Sequence, residues 1–212
     1  MNIKNNLEIK ILDKKDFTQE LLSQLKILLD KSYFRSYMYD GLTKDLELDH
    51  TIFKAFIAFL DEKAVGIMLL EDNPHGKVNY HGFDVVHLQR VCVDSNYRNL
   101  GIGKKLLNRV KKYAFEENNI QTIFITSAEL GAISFYIREG ALLNMKSVEI
   151  YNELNSSQEN IEHFKEMLNN KKFRTYRFAN GTCVDLIYYR DEKIEKFFRE
   201  KGYMGEEVLL EK

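Results

Sequence analysis

The period of the hydrophobic positions changes several times along the chain, and each change marks an element. Leu7–Leu12 alternates apolar with charged residues, as a half-buried strand does. Asp16 with Gln19 three residues later reads as a helix cap, and Leu21, Leu22, Leu25, Leu28 and Leu29 then form an apolar stripe. Tyr33, Phe34, Tyr37, Met38 and Tyr39 make an aromatic cluster with no clean period. Two apolar runs, 52–60 and 64–71, are joined by Asp61-Glu62-Lys63 and predict an antiparallel hairpin. Asn73-Pro74-His75-Gly76 is a loop, and 85–93 predicts a fourth strand.

A helix is expected over 103–117, with Asn118-Asn119 as a left-handed stop, followed by a buried strand over 121–126. A second helix runs through Ala132 and Tyr136 and ends at Gly140. Beyond it the pattern predicts a strand over 145–151, a polar link at 152–155, and a capping box Ser156-x-x-Glu159 before a helix carrying Ile161, Phe164 and Leu168. Asn180-Gly181 between two β-rich runs is a hairpin signal. A last helix over 191–201 stops at Gly202, and 206–210 reads as a final strand. Strands and helices in this order make a mixed α/β (α+β) chain.

A chain of 212 residues buries a real core, and 44% hydrophobic with 30% charged residues is ordinary for a globular protein. The formal net charge of −1 gives no general attraction to nucleic acid or to an anionic membrane. Cys92 and Cys183 make no disulfide framework and have no metal-ligand neighbours, so no metal is expected. No targeting segment follows Met1, and no run reaches the roughly 20 apolar residues of a membrane span. The expected location is the cytoplasm.

The chemistry centres on Leu88-Gln89-Arg90-Val91-Cys92-Val93-Asp94-Ser95-Asn96-Tyr97-Arg98-Asn99-Leu100-Gly101-Ile102-Gly103-Lys104, a strand, a tight turn and the opening of a helix. Glycines let a backbone approach an anion, and a helix N-terminus adds favourable dipole charge, so the expected guest is a phosphate or diphosphate. The loop lacks the spacing of a nucleotide-hydrolysing P-loop and the third glycine of a dinucleotide fingerprint. Arg98-x-x-Gly101-x-Gly103 instead resembles the diphosphate loop of the GNAT N-acetyltransferase superfamily. Ala132-Ile133-Ser134-Phe135-Tyr136, with Gly140 four residues later, resembles a second motif of that family.

The resemblance implies a mostly antiparallel central sheet flanked by helices over residues 1–151, with 152–212 as a C-terminal α/β extension. Phe197-Phe198-Arg199-Glu200-Lys201-Gly202 echoes Phe135 to Gly140, which leaves open a degenerate second half. It also implies acetyl-coenzyme A as co-substrate, its diphosphate on Arg98, Asn99, Leu100, Gly101, Ile102, Gly103 and Lys104 and its pantetheine arm along Val91, Cys92 and Val93. Tyr136 matches the residue that protonates the leaving thiolate in many members. His87 stands where many carry a glutamate base, with Glu71, Asp84 or a water chain as alternatives. Glu129 replaces an asparagine often found three residues before the alanine of the second motif, which puts one pantetheine contact in doubt. The aromatic cluster falls where the family covers its acceptor pocket.

The implied reaction is acetyl transfer to a primary amine, a small molecule more readily than a protein. A catalytically silent acyl-coenzyme A sensor is the alternative. Arg90, expected on the strand face opposite His87, needs an acidic partner that the sequence does not identify. Oligomeric state is open, a homodimer included.

Overall fold

The computed structural model describes residues 6–32, 37–72, 79–127, 129–148, 161–170 and 183–209, and these divide into two compact units, Met1–Ile120 and Gln121–Lys212. Of the expected features, Tyr33, Phe34, the Asn73 to Gly76 loop, the Ser156 to Glu159 box and the Asn180-Gly181 turn lie outside the described residues. Strand pairing within both units is antiparallel, and helices flank the strands of each.

In the first unit, β1 (Leu7–Leu12) pairs with β2 (Phe53–Leu60), β2 with β3 (Lys63–Glu71), and β3 with β5 (Phe83–Val93). A two-residue strand, β4 (Asn79–Tyr80), adds to β5. The β2–β3 hairpin turns on Asp61 and Glu62, both at positive φ (48° and 64°), as a tight turn between twisted strands requires. β3 is a continuous apolar run because both its faces are covered. On one face Ile67 and Leu69 pack with Leu21, Leu25, Leu28 and Leu29 of α1 (Gln19–Ser32) and Leu42 of α2 (Tyr37–Glu47). On the other, Gly66 lies against α3 (Ile102–Lys111), where an added Cβ would meet Leu106 at 3.0 Å.

Several local expectations change. The cap of α1 is Thr18, whose Oγ1 accepts from Leu21 N–H at 3.2 Å; Asp16 instead closes a capping box with Asp13 around a 3₁₀ turn at Lys14–Asp16. The aromatic cluster continues into α2, with Tyr39 partly buried on the core and Leu42 fully so. The helix expected to reach residue 117 is α-helical only to Lys111 and widens to a π-helix over Lys112–Glu117, with Asn119 in the left-handed region at φ 54°.

In the second unit, β6 (Thr122–Ser127) pairs with β8 (Val184–Tyr189), which also pairs with β7 (Leu142–Asn144), and β7 pairs with β9 (Tyr203–Met204). α4 (Leu130–Arg138) buries Leu130, Ile133, Tyr136 and Ile137. It ends in a Schellman turn: Ala141 N–H donates to Tyr136 C=O at 2.9 Å, Gly140 N–H to Ile137 C=O at 2.9 Å, and Gly140 has φ 90°. α5 (Ile161–Asn169) meets α4 where Ser134 Oγ donates to Leu168 C=O at 3.0 Å. α6 (Glu192–Glu200) is capped by Asp191, which accepts from Ile194 N–H at 3.2 Å, and Gly202 follows it at φ 91°. Residues 145–148 are helical rather than strand, and Glu206–Val208 is a 3₁₀ turn rather than strand, leaving the final pairing to Tyr203–Met204.

Candidate functional site

The strand-loop-helix of the first unit carries most of the expected site. β5 ends at Val93, and Asp94 turns the chain: its side chain accepts from Asn96 N–H at 3.0 Å, and its own N–H donates to Val65 C=O at 2.9 Å. At 2% exposure Asp94 is a buried anchor rather than a surface charge. Asn99 and Gly101 both adopt left-handed backbone, at φ 64° and 78°. Gly101 is the N-cap of α3 and offers no side-chain cap, and Lys105 N–H is the first to reach a helical acceptor, Gly101 C=O at 3.0 Å. The first-turn N–H groups of Ile102 and Gly103 lie ahead of that bond at the positive end of the helix dipole. An added Cβ at Gly101 would touch nothing within 4 Å, so the glycine is required by its φ and not by packing.

Arg98, Asn99, Leu100 and Lys104 are exposed around this loop, with Arg98 Nε donating to Val93 C=O at 3.2 Å. Leu100 is 46% exposed, an unusual place for a large apolar side chain. Ile102 is buried and serves as the first core residue of α3. Of the strand residues, Val91 and Val93 are half-buried, and Cys92 is buried with its Sγ 3.8 Å from Leu28 C=O of α1.

β5 carries a bulge next to these residues. Ile67 faces Cys92 and Leu69 faces Gln89, so Arg90 and Val91 together oppose Met68. Arg90 takes φ 49°, costly for an arginine. Its guanidinium is held by Asp45 of α2, Nη2 to Oδ2 at 2.9 Å and Nε to Oδ2 at 3.0 Å, with side-chain exposures of 15% and 10%. Strict alternation puts Arg90 opposite His87, but the bulge resets it. Glu71 pairs with His87 across the ladder and alternates with Ile67 and Leu69, so His87 lies on the α1–α2 face, where Arg90 also reaches.

His87 is half-buried, and burial lowers its pKa, so its imidazole is neutral near pH 7. Asp84 is exposed and faces Asn79 of β4 across the ladder. Glu71 is 5% exposed, and its carboxyl is pushed up to about 7. Burial is the main cause; the Asp45 and Asp72 carboxylates add to it, while Arg90 and Lys14 oppose it. His50 and Asp72, which carried no periodic signal in the sequence, join this group. His50 Nδ1 meets Asp72 C=O at 2.9 Å and its Nε2 lies 3.6 Å from Glu71 Oε2, while Thr51 Oγ1 donates to Asp72 Oδ2. The signal that was there is modest: an apolar run ending in two adjacent acids, with a histidine shortly before its partner strand.

Tyr136 belongs to the second unit, within α4. It is 3% exposed, its ring lies 5.4 Å from that of Phe135, and its carbonyl accepts from Tyr188 hydroxyl at 3.0 Å. Burial, with Glu129 adding to it, raises its pKa, so the phenol keeps its proton. Among the described residues no group of histidine, cysteine or acidic side chains is arranged to hold a metal ion.

Comparison with known proteins bears on this arrangement. The model of the acetyltransferase (GNAT) family matches residues 16–140. A search of curated proteins returns no match. Among solved structures, the ribosomal-protein-S18-alanine N-acetyltransferase of Escherichia coli aligns at TM-score 0.55 and 11% identity, covering 87% of this chain and 94% of that one. An acetyltransferase from Streptococcus agalactiae aligns at TM-score 0.55 and 15% identity, over 87% and 99%. The PaiA N-acetyltransferase of Thermoplasma acidophilum, solved with coenzyme A, aligns at 0.53 and 16%, over 86% and 98%. At these identities the structures speak for the fold.

Proposed function

This chain belongs to the acetyltransferase (GNAT) family, and from that premise we propose that it moves an acetyl group from acetyl-coenzyme A to a primary amine of a small molecule. The observation that carries the reading is the loop itself. Two left-handed residues, Asn99 and Gly101, turn a strand directly into an uncapped helix N-terminus, and the resemblance assigns that turn to the coenzyme diphosphate. Arg98 and Lys104 stand exposed beside it to meet phosphate charge, and Val91, Cys92 and Val93 are the strand for the pantetheine arm.

Acetyl-coenzyme A supplies an activated acyl group on sulfur. A neutral amine nitrogen attacks the carbonyl carbon, the new C–N bond forms and the C–S bond breaks. One proton must leave the nitrogen and one must reach the thiolate. His87, neutral because it is buried, is the acceptor for the first. Tyr136, whose phenol keeps its proton, is the donor for the second. The carboxylates grouped on the face of His87 favour a cationic acceptor, which an amine is before it loses its proton. Coenzyme A thioesters are available in the cytoplasm, where we place the reaction; among the described residues no helix is long and apolar enough to cross a membrane.

The test is incubation with acetyl-coenzyme A and a panel of amines, following thiol release and acetylated product together. Thiol release that depends on the amine, with matching product, is the expected result. Tight acetyl-coenzyme A binding without turnover on any amine would return the chain to the silent-sensor reading.

A further inference from the structure

Glu71 and His50 are placed so that they must share something neither can supply alone. Their facing atoms, Glu71 Oε2 and His50 Nε2, are 3.6 Å apart, with side chains 6% and 1% exposed, and neither atom has a hydrogen-bond partner among the described residues. The far side of the imidazole fixes its tautomer. His50 Nδ1 lies 2.9 Å from Asp72 C=O, and a carbonyl only accepts, so Nδ1 carries the hydrogen. In the neutral ring Nε2 is therefore a bare lone pair, aimed at a carboxylate oxygen that is also a lone pair. Two acceptors facing each other in a buried site repel; one proton between them turns the contact attractive, whichever atom holds it.

We propose that Glu71 and His50 hold one buried proton between them, and that this pair is a positioning element for the amine half of the transfer, setting the charge that His87 and the incoming ammonium meet. The connection to His87 is the ladder, in which Glu71 and His87 are directly opposed and on the same face. With the proton the pair is neutral overall; without it the pair carries one negative charge beside His87, which raises the basicity of that imidazole and draws a cation toward it.

The other charged groups facing the pair leave this charge uncancelled. Arg90 of β5 favours the negative pair but is itself bound to Asp45 of α2, Lys14 of the 3₁₀ turn favours it from a position bonded to Leu48 C=O, and the Asp72 carboxylate, whose Oδ2 accepts from Thr51 and whose Oδ1 lies 3.5 Å from His50 Nδ1, adds a second negative charge. The upward shift of the Glu71 carboxyl to about 7 agrees with a proton held at neutrality. The catalytic part of the proposal rests on the amine-transfer reading; the shared proton does not.

The experiment follows the ¹⁵N and ¹³C signals of His50 and the Glu71 carboxyl in the labelled full chain from about pH 5 to about pH 9, beside the pH profile of acceptor kcat/KM. His50 Nδ1 should keep its hydrogen throughout, while the Glu71 carboxyl shows one transition near neutrality that is registered in the Nε2 signal. Glu71→Gln, whose amide donates to Nε2 permanently, should abolish that transition. It should lower acceptor kcat/KM above neutral pH on the order of tenfold, the effect of a unit charge a few ångströms away, and leave KM for acetyl-coenzyme A unchanged. Glu71→Asp, which keeps the charge, should restore part of the neutral limb. Independent titration of Glu71 in the ordinary carboxylate range, or a bare Nδ1, overturns the shared proton. Turnover whose pH profile ignores Glu71→Gln overturns the positioning role. Absence of turnover by the unsubstituted chain on every amine removes the transfer reading, and the positioning role with it.

Discussion

Replacing Gly41 by alanine sets two effects of known size against each other. Gly41 is in the interior of α2, where alanine is worth about 1 kcal/mol of helix stability over glycine. The space is already taken. A Cβ there would come within 2.5 Å of Arg90 Nη2 and 2.6 Å of its Cζ, because the guanidinium lies across the helix to reach Asp45 one turn later. The arginine must move, and moving it strands Asp45, only 10% exposed, without its partner. Breaking a buried pair from one side costs about 3–5 kcal/mol; this one keeps some solvent, so the low end applies. Subtracting about 1 from about 3 leaves a net loss of about 2 kcal/mol, or a fall of about 4–8 °C in Tm for a chain of this size. Urea unfolding of Gly41→Ala should show this, and the same substitution in an Arg90→Met background, with the guanidinium gone, should stabilise instead. If Gly41→Ala raises stability by about 1 kcal/mol with Arg90 present, the helix is not held against the guanidinium and the account of the bulge anchor fails.

Gly101→Val should weaken acetyl-coenzyme A about five- to thirtyfold by calorimetric titration, since φ 78° costs a valine about 1–2 kcal/mol and the loop relaxes away from its phosphate-facing form. Unchanged affinity would remove the diphosphate assignment. His87 acts as a base only when neutral, and burial depresses its pKa below the ordinary 6.5, so turnover at limiting acceptor should rise through an acidic limb that is complete before the separate rise near neutrality set by the Glu71–His50 pair. His87→Gln should flatten that limb, whereas Tyr136→Phe should cut the rate without moving it. A full rate in both variants would leave proton transfer to other groups. The folded chain holds the Glu71 proton more tightly than the unfolded one, so this group's contribution to stability falls as pH rises from 4.5 through about 7. Relative to Glu71→Gln, the unsubstituted chain should lose up to about 3 kcal/mol across that window, and a flat difference would contradict the shift.

What the sequence disclosed follows from what each signal depends on. The β2–β3 hairpin, the strand-loop-helix around Gly101 and the glycine stops at Gly140 and Gly202 were readable because periodicity and φ > 0 requirements are local. Arg90 was misplaced because a bulge shifts side-chain alternation by one residue, and no residue type announces an arginine at φ 49°. α2 was missed because its aromatic start masks a helix that buries Leu42 beneath a polar surface. The 206–210 strand failed for a similar reason: Val208 is buried from a 3₁₀ turn, which gives an apolar position without a ladder. Of the candidate site, the loop and Tyr136 enter through the motifs of the resemblance and His87 through its place on the strand, their roles standing as proposals, while His50 and Asp72 depend on a tertiary meeting of two segments that no local pattern records.

The order β6-β8-β7-β9 in the second unit has a consequence for how the chain is made. β6 and β7 emerge from the ribosome first, yet neither is the other's neighbour: β8 joins Thr122 to Tyr189 on one side and Leu142 to Ile187 on the other. Until it arrives, two strands wait with open edges. In the first unit each long strand pairs with the next long strand in sequence, β1 with β2 across α1 and α2, then β2 with β3 and β3 with β5, so the loop around Gly101 should be in place while α4 and Tyr136 are still unsupported. The nascent chain therefore carries its half-built second unit as its aggregation-exposed part, and synthesis that stalls before residue 184 should yield a soluble loop-bearing unit tethered to an unfolded, protease-sensitive tail.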